Sequence, residues 1–173
     1  GADCGIGFDA DGDRIGVVDN LGRTMYPDKV LIFLARLALK SEPGSSIVYD
    51  VKATRAIFDD VKANGGIPVI WKTGHSHIKA KAKEIDAPVS GERSGHIFVR
   101  RGYYGYDDAI FAAAKLLEYL SGSDKTFSEE MKTIPQYIKS PTFQTHCADE
   151  VKYEVVAQLV AELKKDFGAE RVI

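Results

Sequence analysis

Ile47-Val48-Tyr49-Asp50-Val51-Lys52 opens a stretch, residues 47–76, that closes on Val69-Ile70-Trp71-Lys72-Thr73-Gly74-His75-Ser76. Each end is a short apolar run that breaks into polar residues, the pattern of a buried strand leading into a loop. Between them Thr54 is placed to cap a helix running to about Ala63. Asn64-Gly65-Gly66 closes that helix through a left-handed cap. Strand, helix and strand in this order form a βαβ unit, which sets two strands parallel with the helix packed across them.

The same alternation continues in both directions. Upstream, Pro27-Asp28 opens a helix to about Lys40, with Val30, Leu31, Leu34, Leu37 and Ala38 at helical spacing, and Pro43-Gly44-Ser45 stops it. Before it, Cys4 to Phe8 and Ile15 to Val18 read as strands flanking a charged loop, and Asn20-Leu21-Gly22-Arg23 reads as a turn. Downstream, Ser76 is placed to cap a helix through Glu84, Ala87-Pro88-Val89 leads into Gly91-Glu92-Arg93-Ser94-Gly95-His96, and Ile97-Phe98-Val99 is a strand. Asp107-Asp108 then starts a helix through Leu120 whose apolar face is expected to be Ile110, Ala114, Leu117 and Tyr119 or Leu120. The fold class this predicts is α/β: a three-layer αβα sandwich on a mainly parallel mixed sheet, with pieces of flanking domains. Ser121-Gly122-Ser123-Asp124 reads as a linker, Thr126 to Lys132 as a short helix, Pro135 and Pro141 as interruptions, and Asp149 to Phe167 as an amphipathic helix.

Composition excludes several classes. In 173 residues the chain has a net charge of -2 with acids and bases interspersed, against the basic surface that nucleic acid or an anionic membrane selects. No apolar run is long enough to span a bilayer. The two cysteines, Cys4 and Cys147, make no disulfide framework, and a reducing cytoplasm is the expected compartment. The chain starts at Gly1 and stops at Glu170-Arg171-Val172-Ile173 with no start or stop signal of its own, so it is expected to be a piece of a longer polypeptide.

Three constellations bear chemistry. Asp9, Asp11 and Asp13 alternate in Asp9-Ala10-Asp11-Gly12-Asp13-Arg14. Two unit charges at about 4 Å repel by roughly 4 kcal/mol at an effective dielectric near 20, so three carboxylates in one loop call for a counter-charge. A hard divalent cation with oxygen ligands supplies it, and Arg14 adds a cation suited to phosphate. The common alternative is a solvated acidic turn. An EF-hand would need Gly and Glu where Arg14 and Asn20 stand. A dinucleotide fingerprint at Gly5-x-Gly7-x-x-Ala10 would need a helix where the charged loop follows. The second constellation, Gly91 to His96, sets an acidic acceptor, a hydroxyl and an imidazole among glycines, a set suited to sugar hydroxyls; taken alone it reads more simply as a polar turn. In the third, Lys72-Thr73-Gly74-His75-Ser76 with Lys52, a histidine can move protons and a lysine can bind phosphate as a point charge. His77 and His146 are assigned no role. The loops beginning at Lys52, Thr73 and Gly91 each follow a strand, so one ligand at the carboxyl ends of the sheet can meet all three.

Together these segments resemble the α-D-phosphohexomutase family, most closely its bacterial phosphomannomutase/phosphoglucomutase branch. Asp9 to Arg14 is similar to that family's metal loop, usually Asp-Gly-Asp-Gly-Asp-Arg, and Gly91 to His96 to its sugar-specificity loop. Asp50-Val51-Lys52, Lys72-Thr73-Gly74-His75 and Tyr106-Asp107-Asp108 match further family segments in the right order. The resemblance implies four domains and reversible transfer of phosphate between C1 and C6 of a hexose, through an enzyme phosphoserine and a hexose 1,6-bisphosphate that also acts as activator. It implies Mg²⁺ on Asp9, Asp11 and Asp13, catalytic roles near the transferring phosphate for Arg14, Lys52 and His75, and sugar contacts from Thr73, Gly74, His75, Glu92, Ser94 and His96. The partners implied are small hexose phosphates, mannose or glucose before glucosamine. The chain divides on this reading into the end of the metal domain, 1–24, the sugar-recognition domain, 25–125, and the start of a phosphate-clamp domain, 126–173. Three departures stand out. The family's serine motif, Thr-Ala-Ser-His-Asn-Pro, and its final phosphate-clamping loop are both missing from the sequence, so this piece alone is expected to be inactive. Ala10 replaces a glycine, which matters only if its φ is positive, and Arg93 fills the family's variable position. The competing readings are a phosphoglucosamine mutase, a non-catalytic sugar-phosphate or cation-binding module, and an aspartate-nucleophile phosphatase, which Gly12-Asp13-Arg14 fits poorly.

Overall fold

A computed structural model of the chain describes residues 1–138 and 145–168. Two compact units divide it, Gly1–Tyr137 and Ile138–Ile173.

The first unit is built on two sheets. Strands β1 (Cys4–Phe8), β2 (Ile15–Asp19) and β3 (Thr24–Met25) form an antiparallel meander in which Gly7 pairs with Gly16 and Val17 with Met25. The turn between β2 and β3 closes on Asp19, whose Oδ1 accepts the N–H groups of Leu21 and Arg23. The two-residue β3 is absent from the sequence reading, because Thr24-Met25 is too short to carry a periodicity. The larger sheet has the order β5-β4-β6-β7, from β4 (Ser46–Asp50), β5 (Ile67–Trp71), β6 (Val89–Gly91) and β7 (Ile97–Val99). β4 runs parallel to both β5 and β6, and only β7 is antiparallel, as the βαβ reading requires.

Strand alternation sorts this sheet's side chains onto two faces. Ile47, Tyr49, Ile70, Val89, Ile97 and Val99 join the core under α1 (Asp28–Ser41), α2 (Arg55–Ala63) and α4 (Ala109–Ser121). Val48, Val69, Trp71 and Phe98 face the other way, onto Ile78 and Ala82 of α3 (His75–Glu84). The result is the expected three-layer αβα arrangement. Helix α1 is buried on nearly every side, from Val30 through Ala35, because the sheet, α2, α4 and the meander surround it.

Local signals account for most helix ends. Thr54 caps α2 by accepting the N–H of Ala56 at 3.3 Å, and Gly65 takes the left-handed conformation that ends it, φ 77°. Two helix readings are corrected. The first turn of α3 starts at His75, not after Ser76, and its N-cap is Gly74 with φ 127° and no side-chain cap. The buried face of α4 is Ala109, Ala112, Ala113 and Leu116, while Ile110 and Leu117 are exposed. That helix is apolar on most of its surface, so periodicity left its facing open; the alanines let it approach α1 and the meander closely.

Helix α5 (Phe127–Lys132) opens with the reciprocal capping box of Thr126 and Glu129, and Phe127 and Ile134 lie in the main core. The first compact unit thus runs past residue 125, and the meander residues Ile15, Val17 and Met25 share its core. In the second unit, α6 spans Lys152–Phe167, so the expected helix is present but begins three residues after Asp149. Pro141 and the closing residues 170–173 lie outside the described residues. No helix among the described residues is long and apolar enough to cross a membrane.

Candidate functional site

Because β4, β5 and β6 are parallel, their carboxyl ends lie along one edge, and the loops that follow them meet there. Asp50, the last residue of β4 and only 1% exposed, holds two of these loops together. Its Oδ2 accepts the Thr73 hydroxyl at 3.2 Å and its Oδ1 accepts the Arg93 N–H at 3.0 Å. Glu92, also buried, accepts the Gly74 N–H through Oε1 at 2.6 Å. The Gly91–His96 loop closes on itself through Glu92 N–H to the His96 carbonyl and Gly95 N–H to the Glu92 carbonyl. Gly95 has φ 106°, and a Cβ there would meet the Ile15 carbonyl oxygen at 3.1 Å, so the close approach of this loop to β2 requires glycine.

The acidic loop joins the same edge. Arg14 and His96 form an isolated antiparallel bridge, the Ile15 N–H donates to the Gly95 carbonyl, and the Ala109 N–H donates to the Gly12 carbonyl. Asp9, Asp11 and Asp13 converge, each offering a carboxylate oxygen within 4.8 Å of the others. Asp9 Oδ1 accepts the N–H groups of Asp13 and Arg14, and its Oδ2 accepts Arg14 Nε at 2.6 Å. Partial desolvation raises the Asp9 pKa, but the Arg14 guanidinium and these N–H donors outweigh it and hold the group at about 2. Asp13 moves the other way: desolvation and the adjacent Asp9 push its pKa up, His96 opposes, and Asp11 adds to the rise. Among the described residues Asp86 alone of the non-glycines has positive φ, so Ala10 stands where its Cβ is unstrained and its substitution for glycine is minor.

The histidines meet at Asp107. His75 Nδ1 and His96 Nδ1 each lie 3.7 Å from Asp107 Oδ2, and Lys79 Nζ lies 3.1 Å from its Oδ1. His96 Nδ1 also lies 3.5 Å from Asp13 Oδ2. Desolvation raises the Asp107 pKa, and the Lys79 ammonium with nearby His75 overcomes this and leaves it below the ordinary value. Ser94 is exposed and lines a shallow depression with Asp9 and Arg14. Lys52 is exposed in the turn after β4, and no hydrogen bond or ion pair engages its ammonium among the described residues.

Every residue singled out from the sequence therefore lies in the loops of this edge or in the acidic loop against it. Two residues at the centre of the arrangement had been given no role, Asp50 and Asp107. Thr73 and Gly74, expected to contact a ligand, here donate to Asp50 and Glu92. The largely apolar cavity of about 360 Å³ lined by Leu34, Leu37, Pro88, Val89 and Val99 is at the other end of the strands. Of the cations that line it, Arg101 and Lys115 are paired with Glu42, Asp86 and Glu118 and Lys40 lies over the Tyr119 ring; the convergence of carboxylates and histidines makes the polar edge the candidate site.

The αβα sandwich with a carboxylate loop and three polar loops at one sheet edge has counterparts among known proteins. The family model "Phosphoglucomutase/phosphomannomutase, alpha/beta/alpha domain III" matches residues 26–137, and the chain belongs to that family. It is 43% identical over 159 residues to a phosphomannomutase/phosphoglucomutase of Pseudomonas syringae pv. tomato, covering 92% of this chain and 34% of that protein. It is 39% identical over 173 residues to a phosphoglucomutase of Neisseria gonorrhoeae, covering 99% of this chain and 37% of the relative. The crystal structure of a phosphoglucomutase/phosphomannomutase family protein from Burkholderia thailandensis superposes with a TM-score of 0.76 at 44% identity, over 81% of this chain and 30% of that one. The chain thus spans about a third of the length of the relatives it matches.

Proposed function

We propose that this chain is the sugar-recognition part, with the metal loop attached, of a phosphohexomutase that moves phosphate reversibly between C1 and C6 of mannose or glucose phosphate. The observation that supports it most is the convergence of the loops after β4, β5 and β6 on the Asp9–Arg14 loop in a chain of this family. The names of the relatives point the same way. In this reading residues 1–24 end the metal-binding domain, the sugar-recognition domain begins at about residue 25, and the phosphate-clamp domain follows it. The compact unit ending at Tyr137 favours a later end for the recognition domain than residue 125.

Asp9, Asp11 and Asp13 fit Mg²⁺. The donors are all carboxylate oxygens, as a hard cation prefers, and Asp13 Oδ1 is buried without a hydrogen-bond partner, an acceptor that a cation satisfies. When bound, the ion supplies positive charge beside the phosphoryl group in transfer. The chain's own residues do the rest. Arg14, fixed by Asp9, and Lys52 bind phosphate oxygens. Ser94 and the part of Glu92 not engaged by Gly74 bind sugar hydroxyls, and the Thr73-Gly74 turn holds Glu92 and His75 in place. His75 and His96 are the groups that hold or move a proton at the hydroxyl that gains or loses phosphate.

The phosphoryl donor is a phosphoserine elsewhere in the parent polypeptide, and a hexose 1,6-bisphosphate forms, reorients and returns phosphate to the serine. The enzyme works in the cytoplasm, in keeping with its free cysteines. Glu92 and Ser94 would read hydroxyls that glucose and mannose present identically, so the epimers should differ by about one hydrogen bond, roughly 0.5–1.5 kcal/mol. The test compares kcat/KM of the parent on glucose 1-phosphate, mannose 1-phosphate and glucosamine 1-phosphate. Similar values for the two neutral sugars are expected; a preference of several hundred-fold for the amino sugar, roughly 3–4 kcal/mol, overturns the substrate assignment.

A further inference from the structure

We infer that Asp107 is a positioning residue, one carboxylate that orients the imidazoles of two different loops, His75 at the start of α3 and His96 before β7.

The residue is itself well held. It forms an isolated antiparallel bridge with Phe98, which extends the sheet edge beyond β7, and it directly precedes Asp108, the N-cap of α4. Lys79, one turn along α3 from His75, pairs with Oδ1 at 3.1 Å and leaves Oδ2 for the histidines. Both Nδ1 atoms lie 3.7 Å from that one oxygen, and the ring centroids are 6.0 Å apart. Both distances exceed a hydrogen bond, and His96 Nδ1 is buried with no hydrogen-bond partner, so Asp107 Oδ2 is the acceptor within reach of both ring nitrogens rather than one already bonded to either.

The chemical consequence concerns tautomers. A carboxylate facing Nδ1 keeps the proton of the neutral ring on that nitrogen and leaves Nε2, on the far side of the ring, as the lone-pair atom. Free imidazole side chains in water favour the opposite tautomer. Asp107 thus turns two Nε2 atoms into acceptors at once. The two loops must stay in register for it to do so, and Lys79 compensates its charge. For His96 a second carboxylate oxygen, Asp13 Oδ2, faces the same nitrogen at 3.5 Å. For His75 the carboxylate within 4 Å of Nδ1 among the described residues is that of Asp107.

The tautomer part of the inference needs no catalysis; its consequence for turnover rests on the mutase reading. The test is therefore made in two arms. In this chain, ¹⁵N correlation spectra of the histidine rings, recorded at a pH above which the ring signals no longer change, report the tautomers directly. The expected result is Nδ1–H for both His75 and His96 in the wild type. In D107N, His75 should revert to mostly Nε2–H while His96 keeps part of its preference through Asp13. D107E, which restores a carboxylate, should recover Nδ1–H at His75. An Nε2–H tautomer at His75 in the wild type, or no change there in D107N, overturns the inference. If D107N does not fold, the wild-type spectrum alone decides. In the parent enzyme, D107N should lower kcat roughly 10- to 100-fold with KM little changed, a part of the roughly 10²- to 10⁴-fold that a positioned acid or base supplies. The tautomers as expected with an unaltered kcat would uphold the orienting role of Asp107 and sink its catalytic consequence. A parent with no mutase activity would instead count against the mutase reading and leave the spectra to decide Asp107.

Discussion

Glu92 Oε1 accepts the backbone N–H of Gly74 at 2.6 Å, and the pair ties the loop that carries His75 to the loop that carries His96. Glu92 is 4% exposed, so its carboxylate has left bulk water and depends on this donor. A buried charged acceptor without its partner is costly. The residue expected to read a sugar hydroxyl therefore also has a structural function.

E92A should destabilise the first unit by about 2 kcal/mol, the value of a hydrogen bond to a charged group. E92Q, whose amide oxygen can still accept from Gly74, should lose about half of that. Urea unfolding of both variants beside the wild type checks this. Equal stability of all three would show that the contact contributes nothing.

G95A should be more damaging than its size suggests. Its φ of 106° excludes a Cβ comfortably, and the added atom would sit 3.1 Å from the Ile15 carbonyl oxygen and 3.3 Å from Pro27 Cβ. A cost of about 2–3 kcal/mol is expected from strain and crowding together. G12A, with φ 74° but open space around it, should cost only the strain, about 1 kcal/mol. Thermal melts that rank the two the other way would contradict this.

D11N should weaken Mg²⁺ binding to this chain, since one of three oxygen-donor carboxylates loses its charge. Calorimetric titration of wild type and variant is the measurement. In the parent, turnover at limiting Mg²⁺ should fall in parallel, whereas unchanged affinity would mean that the ion sits elsewhere.

Asp108 gives the acid side of the stability profile. The Tyr103 hydroxyl at 2.7 Å, then the Phe111 N–H at 2.8 Å, lower its pKa below the ordinary 3.8. A carboxyl with a depressed folded-state pKa stabilises the fold above its unfolded pKa, and the contribution disappears as pH falls through the folded value. D108N should therefore be less stable than wild type at neutral pH, and the difference should shrink below about pH 4. A difference that stays constant from pH 7 to pH 2 would mean that packing, not charge, is what the variant lost.

Mutase assays on this chain alone should show no turnover, because it carries no Thr-Ala-Ser-His-Asn-Pro segment. Turnover by pure chain, free of host enzyme, would refute the assignment of the phosphoryl donor to the rest of the polypeptide.

The layered fold was readable because its signals are local. Ile47-Val48-Tyr49 and Val69-Ile70-Trp71 alternate onto two cores, and Thr54 and Gly65 mark the ends of the helix between them. The facing of α4 was not readable, since Ile110 and Leu117 are as apolar as the residues that won the core. What decides it is the proximity of α1, a tertiary fact that the helix's own periodicity does not contain. The side chains proposed to bear chemistry are singled out partly by type and spacing and partly by the family resemblance, and the structure gathers them at one edge of the sheet. Asp50 and Asp107 stand in segments that resemble the family, but sequence gives them no role, because a single carboxylate after a strand, or before a helix, resembles any surface acid. Their partners are 23 and 43 residues away for Asp50 and 28 residues away for Asp107 and Lys79.

Asp50 also bears on engineering. If it reads the sugar as proposed, the Gly91–His96 segment looks like a short motif that could be transplanted by itself. Yet its backbone at Arg93 hangs on Asp50, its Glu92 on Gly74, and its Gly95 on the space beside Ile15. A graft of the six residues alone would arrive without its supports and adopt another shape. The unit that keeps its shape is the segment together with residues 15, 50, 73 and 74.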